Sequence, residues 1–445
     1  MTLILPMDWG AATNGLKRYS SNTGWLLFEK AFAAFLSFLV GVYVIRYLGP
    51  VNFGIFSYAL SFVSLFSGVA ALGLDSIVVR DLVQNEDRND ELLGTAFVLK
   101  LFGALLVLIV LLSILAFKPY DSLTSWAVFI IAFASVFQSI FVIDFFFQSR
   151  VLSKYPVWVR CFSSVIGSAF KIILIFNHAS LIWFAFAVTL ENSVMALGFI
   201  IVYKKLGATM RLWRFRTVTA TRLLKDSWPL ILSGVAISLY MRLDQVLIRS
   251  MLDAKAVGIY AVAVNLTEIW YFIPTIVVSS LFPAIINAKK GDPALYLNLL
   301  QRLHDVFFMI AFVIGIAVSL CSGIIINTLF GESFMGARVV LIIYIWSVVF
   351  VFQGGIRGHF LILENEQQIG LWFRILAILV NTGLNLVMIP RYGIVGAAVA
   401  TLLSYSLPVY LASIFHPVLR VNLLMCLRSY ILPFRLAYYG RSVLK

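Results

Sequence analysis

An all-helical, polytopic membrane protein of about twelve spans is the fold class that the sequence predicts, and three observations predict it. Apolar runs of about 18 residues or more recur along the whole chain, and each is enough to cross a hydrocarbon core of about 30 Å at about 1.5 Å per residue. Aliphatic and aromatic residues make up 62% of the chain and charged residues only 12%, against about a quarter charged in soluble proteins. The polar interruptions are short. The longest are 204–226 and 84–91, and neither can bury a core of its own.

The spans read, in order, 24–46, 53–74, 93–117, 123–147, 156–176, 180–203, 228–250, 257–285, 304–326, 338–362, 368–389 and 392–415. Lys17 and Arg18 precede the first, but no small-residue cleavage site closes it, so it is retained as a span rather than removed as a leader. Leu48-Gly49-Pro50 separates the first two. Proline cannot continue a helix and glycine takes left-handed angles readily, so this is a tight hairpin turn. Pro274 in span 8, Gly354-Gly355 in span 10 and Pro408 in span 12 mark bends, either hinges or packing kinks. Gly54-Ile55-Phe56 returns as Gly258-Ile259-Tyr260, and Ile45-Arg46 returns as Ile248-Arg249 with a one-residue slip. The restart predicts two six-helix lobes related by a pseudo-twofold axis along the membrane normal. The expected division is an N-terminal lobe at 1–203, a basic linker at 204–227, a C-terminal lobe at 228–415 and a basic amphipathic tail at 416–445.

Orientation follows from Lys and Arg. With the N-terminus in the cytoplasm, the inside segments carry more than threefold as many as the outer turns, so both termini and the linker are expected inside. The net charge of +14 does not indicate nucleic acid, because the basic residues are spread among loops rather than gathered on one face. The positive-inside rule and attraction to anionic lipid account for it. The linker (MRLWRFRTVTATRLLKD) reads either as a surface helix lying on anionic lipid or as a solvated connection. The tail reads as interfacial. Cys161, Cys321 and Cys426 show neither metal spacing nor a disulfide framework and read as small buried hydrophobes. The chain has no nucleotide-binding loop, no zinc spacing and no triad, so no enzyme, metal or cofactor is read. His359 reads as a hydrogen-bonded packing residue, with a proton-responsive role as the alternative.

Three motifs carry a family resemblance. They are Arg46-Tyr47-Leu48-Gly49-Pro50 followed by Phe53-Gly54-Ile55-Phe56-Ser57, then Leu72-Gly73-Leu74-Asp75 with Arg80, and finally Pro390-Arg391-Tyr392-Gly393-Ile394-Val395-Gly396-Ala397-Ala398. Over about 24–415 the chain resembles the polysaccharide branch of the multidrug/oligosaccharidyl-lipid/polysaccharide exporter superfamily. The resemblance implies a flippase of the bacterial inner membrane. Its substrate would be undecaprenyl-pyrophosphate-linked oligosaccharide repeat units of O-antigen or capsule type, moved by alternating access. Membrane lipids, a coupling proton or sodium ion, and other polysaccharide-assembly membrane proteins are the partners it implies.

A flippase needs a polar path and a counter-charge for pyrophosphate. A charge at mid-bilayer costs about 2.5–3.5 kcal/mol on insertion scales and faces a bundle interior. Cations within spans are Lys30, Lys100, Arg160, Lys171, Arg242, Arg357 and Arg374; acids are Glu29, Asp144, Glu191, Asp244 and Glu268. Lys100, Arg160, Arg357 and Arg374 lie near helix ends and are read as snorkelling. Lys30, Arg242 and Lys171 are assigned to the pyrophosphate, with Asp244, Glu191, Glu268 and Glu29 as counter-charges or ion-coupling groups. Fixed buried ion pairs are the alternative reading for these residues. A drug/cation antiporter of the same superfamily is the second functional reading and predicts a mainly acidic cavity. A membrane glycosyltransferase or polymerase is the third, and it would want a long outer loop that this chain lacks.

Overall fold

The computed structural model describes residues 9–432 apart from 118, 119 and 365. The described chain is helical, with no strand. Its helices are α1 (Trp9–Ser64), α2 (Ser67–Ala71), α3 (Asp75–Gln84), α4 (Asn89–Phe117), α5 (Ser122–Gln138), α6 (Val142–Ser149), α7 (Lys154–Phe176) and α8 (Leu181–Lys205). There follow α9 (Thr217–Met251), α10 (Ala254–Glu268), α11 (Phe272–Gly291), α12 (Pro293–Phe330), α13 (Ala337–Tyr344), α14 (Ser347–Leu363), α15 (Gln367–Phe415) and α16 (Pro417–Tyr430). Ten stretches among the described residues are long and apolar enough to cross a membrane. Two of them, Gly24–Ser64 and Gln368–Leu407, are 41 and 40 residues long, about twice what one crossing needs.

Both long stretches are broken by a glycine with positive φ, Gly49 (φ 68°) in the first and Gly393 (φ 60°) in the second. At Gly393 the chain doubles back. A Cβ on Gly396 would lie 2.2 Å from the carbonyl oxygen of Met388, and Asn381 bonds Ser404 at 3.2 Å across the hairpin. Eight residues of continuous helix would put Met388 and Gly396 about 12 Å apart.

Several predicted spans are broken where hydropathy is continuous. Span 2 ends at Ser64 and resumes as α2, and Leu72 and Gly73 then take left-handed angles before α3. The reason is close backbone approach. A Cβ on Gly68 would sit 2.4 Å from the amide nitrogen of Val235, and one on Gly73 would sit 2.8 Å from Leu230. Span 8 breaks between α10 and α11, which places Pro274 in the first turn of α11, where a missing N–H costs nothing. Span 10 breaks at 345–346, between α13 and α14. At Gly354-Gly355, where a bend is expected, α14 runs on without a break. Gly355 instead lets Pro274 approach, its Cβ position lying 3.2 Å from the proline Cβ. Pro408 lies in α15, and its side chain is outside the described residues.

By packing, the chain divides into two compact units. One holds residues 1–44 and 63–235, the other 45–62 and 236–445. In the first, α5 and α7 pack on α8, α4 on α5, and α3 on α6. Its core includes Leu74, Val78, Leu93, Val142, Phe147 and Phe199. In the second, α12, α14, α15 and α16 pack together, and α10 packs on α13. Large apolar side chains stay exposed on the long helices, such as Phe102, Ile109, Leu320 and Ile324. Lipid is the solvent that tolerates such a surface.

The basic linker does not form the separate surface helix read from its sequence. Residues 213–216 run extended against the start of α4, and α9 begins at Thr217 and continues without a break. Gly94 makes room for the backbone of Arg214, whose N–H donates to the Asp90 carbonyl at 3.2 Å. The Arg216 N–H donates to Thr95 Oγ1 at 3.2 Å, and Trp213 packs on Phe97 and Tyr203. Two of the basic side chains meet acids elsewhere in the first unit, and the linker's own Asp226 meets Arg80 of α3. Arg222 pairs with Asp81 at 3.0 Å, Arg216 with Glu91 at 3.4 Å and Arg80 with Asp226 at 3.1 Å. Hydrogen bonds to Asp81, then to Asp226, push the Arg80 pKa above its usual value.

The tail also departs from its reading as interfacial. Its described part, α16, packs on α12 and α15 with Asn422, Cys426 and Ser429 buried. These three recur at helical spacing and meet a buried polar hub. Asn422 Nδ2 donates to His304 Nε2 at 3.0 Å, His304 Nδ1 contacts Gln353 Oε1, and Gln353 Nε2 donates to Ser429 at 3.3 Å. Residues 433–445 lie outside the described residues. Cys161 and Cys426 are buried, whereas Cys321 is exposed.

Candidate functional site

In the first unit, Glu29 of α1 and Asp144 of α6 share Arg160 of α7. The guanidinium reaches Glu29 Oε2 at 3.0 Å and Asp144 Oδ2 at 2.5 Å. Gln148 Nε2 donates to the same Asp144 oxygen at 2.8 Å. Arg160 is thus held between two acids rather than snorkelling. Lys171 pairs with Glu191 at 3.3 Å, and Ser164 donates to the other oxygen of that carboxylate at 3.2 Å. Gly167 makes room for it, since a Cβ there would lie 2.7 Å from Glu191 Oε2. Lys100 pairs with Asp75 at 3.0 Å. Lys30 is exposed and has no ion-pair partner among the described residues.

In the second unit, Arg242 of α9 pairs with Glu268 at the end of α10, at 3.1 Å. Its counter-charge is Glu268, not Asp244 or Glu191. Asp244 lies two residues on, where a helix turns a side chain to a different face. Asp244 is buried and ringed by hydrogen-bond donors. Tyr260 Oη donates at 3.0 Å, Asn385 Nδ2 donates at 2.8 Å, and the Thr401 hydroxyl donates to Oδ2. The two arms of the α15 hairpin bring Asn385 and Thr401 to one place. Asn385 Oδ1 is buried with no hydrogen-bond partner among the described residues. A buried carboxylate beside an unsatisfied amide oxygen and hydroxyl oxygens is a donor set for a hard monovalent cation or a proton. Sequence reading found Asp244 but not this ring. Asn381 and Asn385, four apart on one helix face, were the available signal.

A cavity of about 320 Å³ lies in the same unit, lined by Tyr240, Tyr271, Arg357, Arg374, Ser404 and Tyr405 among others. The fold brings both arginines, read from sequence as snorkelling, to one cavity wall. Tyr240 and Tyr405 stack with ring centroids 4.6 Å apart. Ser404 accepts from Asn381 at 3.2 Å, Asn381 Oδ1 accepts from Asn385 at 3.0 Å, and Asn385 donates to Asp244. A hydrogen-bond chain therefore links the cavity wall to the buried carboxylate. His359 is a packing residue: its Nδ1 meets the Gly355 carbonyl at 3.0 Å and its ring packs on Phe282.

The helices define a multi-pass membrane protein of a known transporter fold. A lipid II flippase, MurJ, in an inward closed conformation matches with a TM-score of 0.69 at 16% identity, covering 92% of each chain. An inward-facing multidrug resistance MATE family transporter of the MOP superfamily matches with a TM-score of 0.67 at 14% identity, covering 90% of this chain and 95% of that one. The profile of the polysaccharide biosynthesis protein family matches residues 20–289, and the chain belongs to that family. Among curated relatives, the probable flippase AglR of Haloferax volcanii is 30% identical over 182 residues, 39% of this chain and 37% of that protein. The probable low-salt glycan biosynthesis flippase Agl15 of the same organism is 25% identical over 177 residues, 40% of this chain and 38% of that protein. The matches thus span well under half the length of these relatives.

Proposed function

We propose that the chain is a flippase for lipid-linked oligosaccharide, moving undecaprenyl-pyrophosphate-linked repeat units across a bacterial inner membrane by alternating access. It works as a transporter and carries out no covalent chemistry. The observation that carries the reading is the family match over residues 20–289, and the two flippase relatives support it. Lys30, Arg242 and Lys171 meet the pyrophosphate. Arg242 and Lys171 are each held by an acid, Glu268 and Glu191, and exchange that acid for phosphate as substrate arrives. Asp244 takes the coupling cation or proton. Deletion of the gene is expected to leave lipid-linked repeat units on the inner leaflet, with loss of surface glycan. In the same assay Arg242→Ala should lower surface glycan at least tenfold with the protein still in the membrane, and Arg242→Lys should retain part of the activity. Full surface glycan in the deletion strain would overturn the function, and full glycan with Arg242→Ala would overturn that residue's role.

Both termini and 204–226 face the cytoplasm in this reading, with 48–52 outside. Single cysteines at Asn52 and Thr209, in a chain otherwise free of cysteine, are expected to react with an impermeant maleimide from outside and only after lysis, respectively. Labelling of position 209 in intact cells would reverse the orientation.

A further inference from the structure

We propose that the cavity walled by Arg357, Arg374, Tyr240 and Tyr405 is a further seat of the substrate's headgroup, holding the pyrophosphate and the sugar next to it at a different stage of the crossing from Lys30, Arg242 and Lys171. The inference deepens the flippase reading and rests on it. The first ground is a contrast in pairing. Within the spans, Arg160 holds Glu29 and Asp144, Lys171 holds Glu191, and Arg242 holds Glu268. Arg357 has no carboxylate partner among the described residues. Lys30 shares that lack but is exposed on the helix surface, whereas Arg357 faces a cavity. A guanidinium in a span without a counter-charge is costly, and water or an anionic ligand offsets that cost.

The second ground is the lining. Among the described residues it includes two guanidiniums, three tyrosines and a serine, and no carboxylate. This chemistry repels a cation and suits a phosphate, which guanidinium forks bind in bidentate fashion. The stacked Tyr240 and Tyr405 add aromatic faces on which the apolar face of a sugar ring can rest. The volume of about 320 Å³ falls within the range of small-molecule sites, about 300–1,000 Å³.

The third ground is a bare wall. Gly354, Gly358 and Gly370 border the cavity, and a Cβ on Gly358 would meet nothing within 4 Å. Arg357 is one turn from Gln353, which is fixed by His304 and Ser429, so the helix face presenting the guanidinium is anchored.

A phosphate bound here has two sources in a membrane, the glycan carrier and an anionic phospholipid, and the proposal commits to the carrier. The full chain in phosphatidylcholine nanodiscs is titrated with undecaprenyl pyrophosphate bearing one sugar, and separately with phosphatidylglycerol. Arg357→Gln and Gly358→Leu are each expected to weaken carrier binding at least tenfold, about 1.4 kcal/mol, and to leave phosphatidylglycerol binding unchanged. Gly358→Leu keeps both charges and fills open space, so it tests the cavity even if Arg357→Gln fails to fold. Arg211→Gln, on the basic loop, should bind the carrier as the wild type does. Wild-type carrier affinity in Gly358→Leu would overturn the proposal. So would an equal loss of phosphatidylglycerol binding, which would make this a phospholipid site. A wild-type protein that binds the carrier through this cavity yet moves none of it in vesicles would overturn the flippase reading and leave the site standing.

Discussion

Gly54→Val and Gly258→Val are each expected to prevent the protein from reaching its folded state in the membrane. The two glycines are the recurring pair of the sequence repeat, and they meet across one helix crossing of the second unit. A Cβ on Gly54 would lie 1.7 Å from the carbonyl oxygen of Ala254, and one on Gly258 would lie 2.0 Å from that of Pro50. Both obstacles are backbone atoms, so no rotamer change relieves them, and the helices must separate by more than an ångström. Small residues at membrane helix crossings permit such backbone approach, and overpacking a tight contact costs about 1–3 kcal/mol or more. Thermal unfolding of detergent-purified protein should show a large loss for either variant, and their yield should fall. Gly41→Ala and Gly383→Ala, where nothing lies within 4 Å of the added carbon, should unfold near the wild-type temperature. Wild-type unfolding of Gly54→Val would mean the crossing is looser than described.

Asp244→Asn is expected to abolish ion-coupled transport while leaving most of the fold in place. The change keeps the size of the side chain and one acceptor oxygen, removes the charge and puts an NH2 donor in place of the other oxygen. Asp244→Ala should be worse, because Tyr260, Asn385 and Thr401 all point at this carboxylate from buried positions. Each buried polar group left unsatisfied costs about 1–3 kcal/mol. In proteoliposomes, wild-type flipping should accelerate when a sodium or proton gradient is imposed. Asp244→Asn should flip at least tenfold more slowly and ignore the gradient. A gradient-dependent rate equal to wild type in Asp244→Asn would remove Asp244 from coupling.

The sequence by itself determined what depends on neighbours along the chain. Hydropathy alone located the membrane stretches, because crossing a bilayer is a requirement on each segment separately. Gly49-Pro50 was legible as a turn because its backbone preference is local, and the gap read between spans 368–389 and 392–415 fell within two residues of the reversal at Gly393. Intramembrane charge singled out Arg242, Asp244, Glu191 and Glu268, because insertion cost belongs to the residue and not to its surroundings. The tertiary structure alone decided who pairs with whom. Arg242 meets Glu268 at the far end of the next helix rather than Asp244 two residues away, and partner choice is a matter of distance in space. Residues 45–62 and 63–64 are consecutive in one helix yet belong to different packing units, which hydropathy cannot register. The breaks at 65–66, 269–271 and 345–346 came from packing rather than composition, so runs of unbroken hydrophobicity concealed them. The linker's basic residues looked like lipid-binding charge until the fold set Asp81 and Glu91 against Arg222 and Arg216. Arg357 looked like a snorkelling end residue. It became a cavity wall because α9, α14 and α15 leave a space that only their three-dimensional arrangement creates.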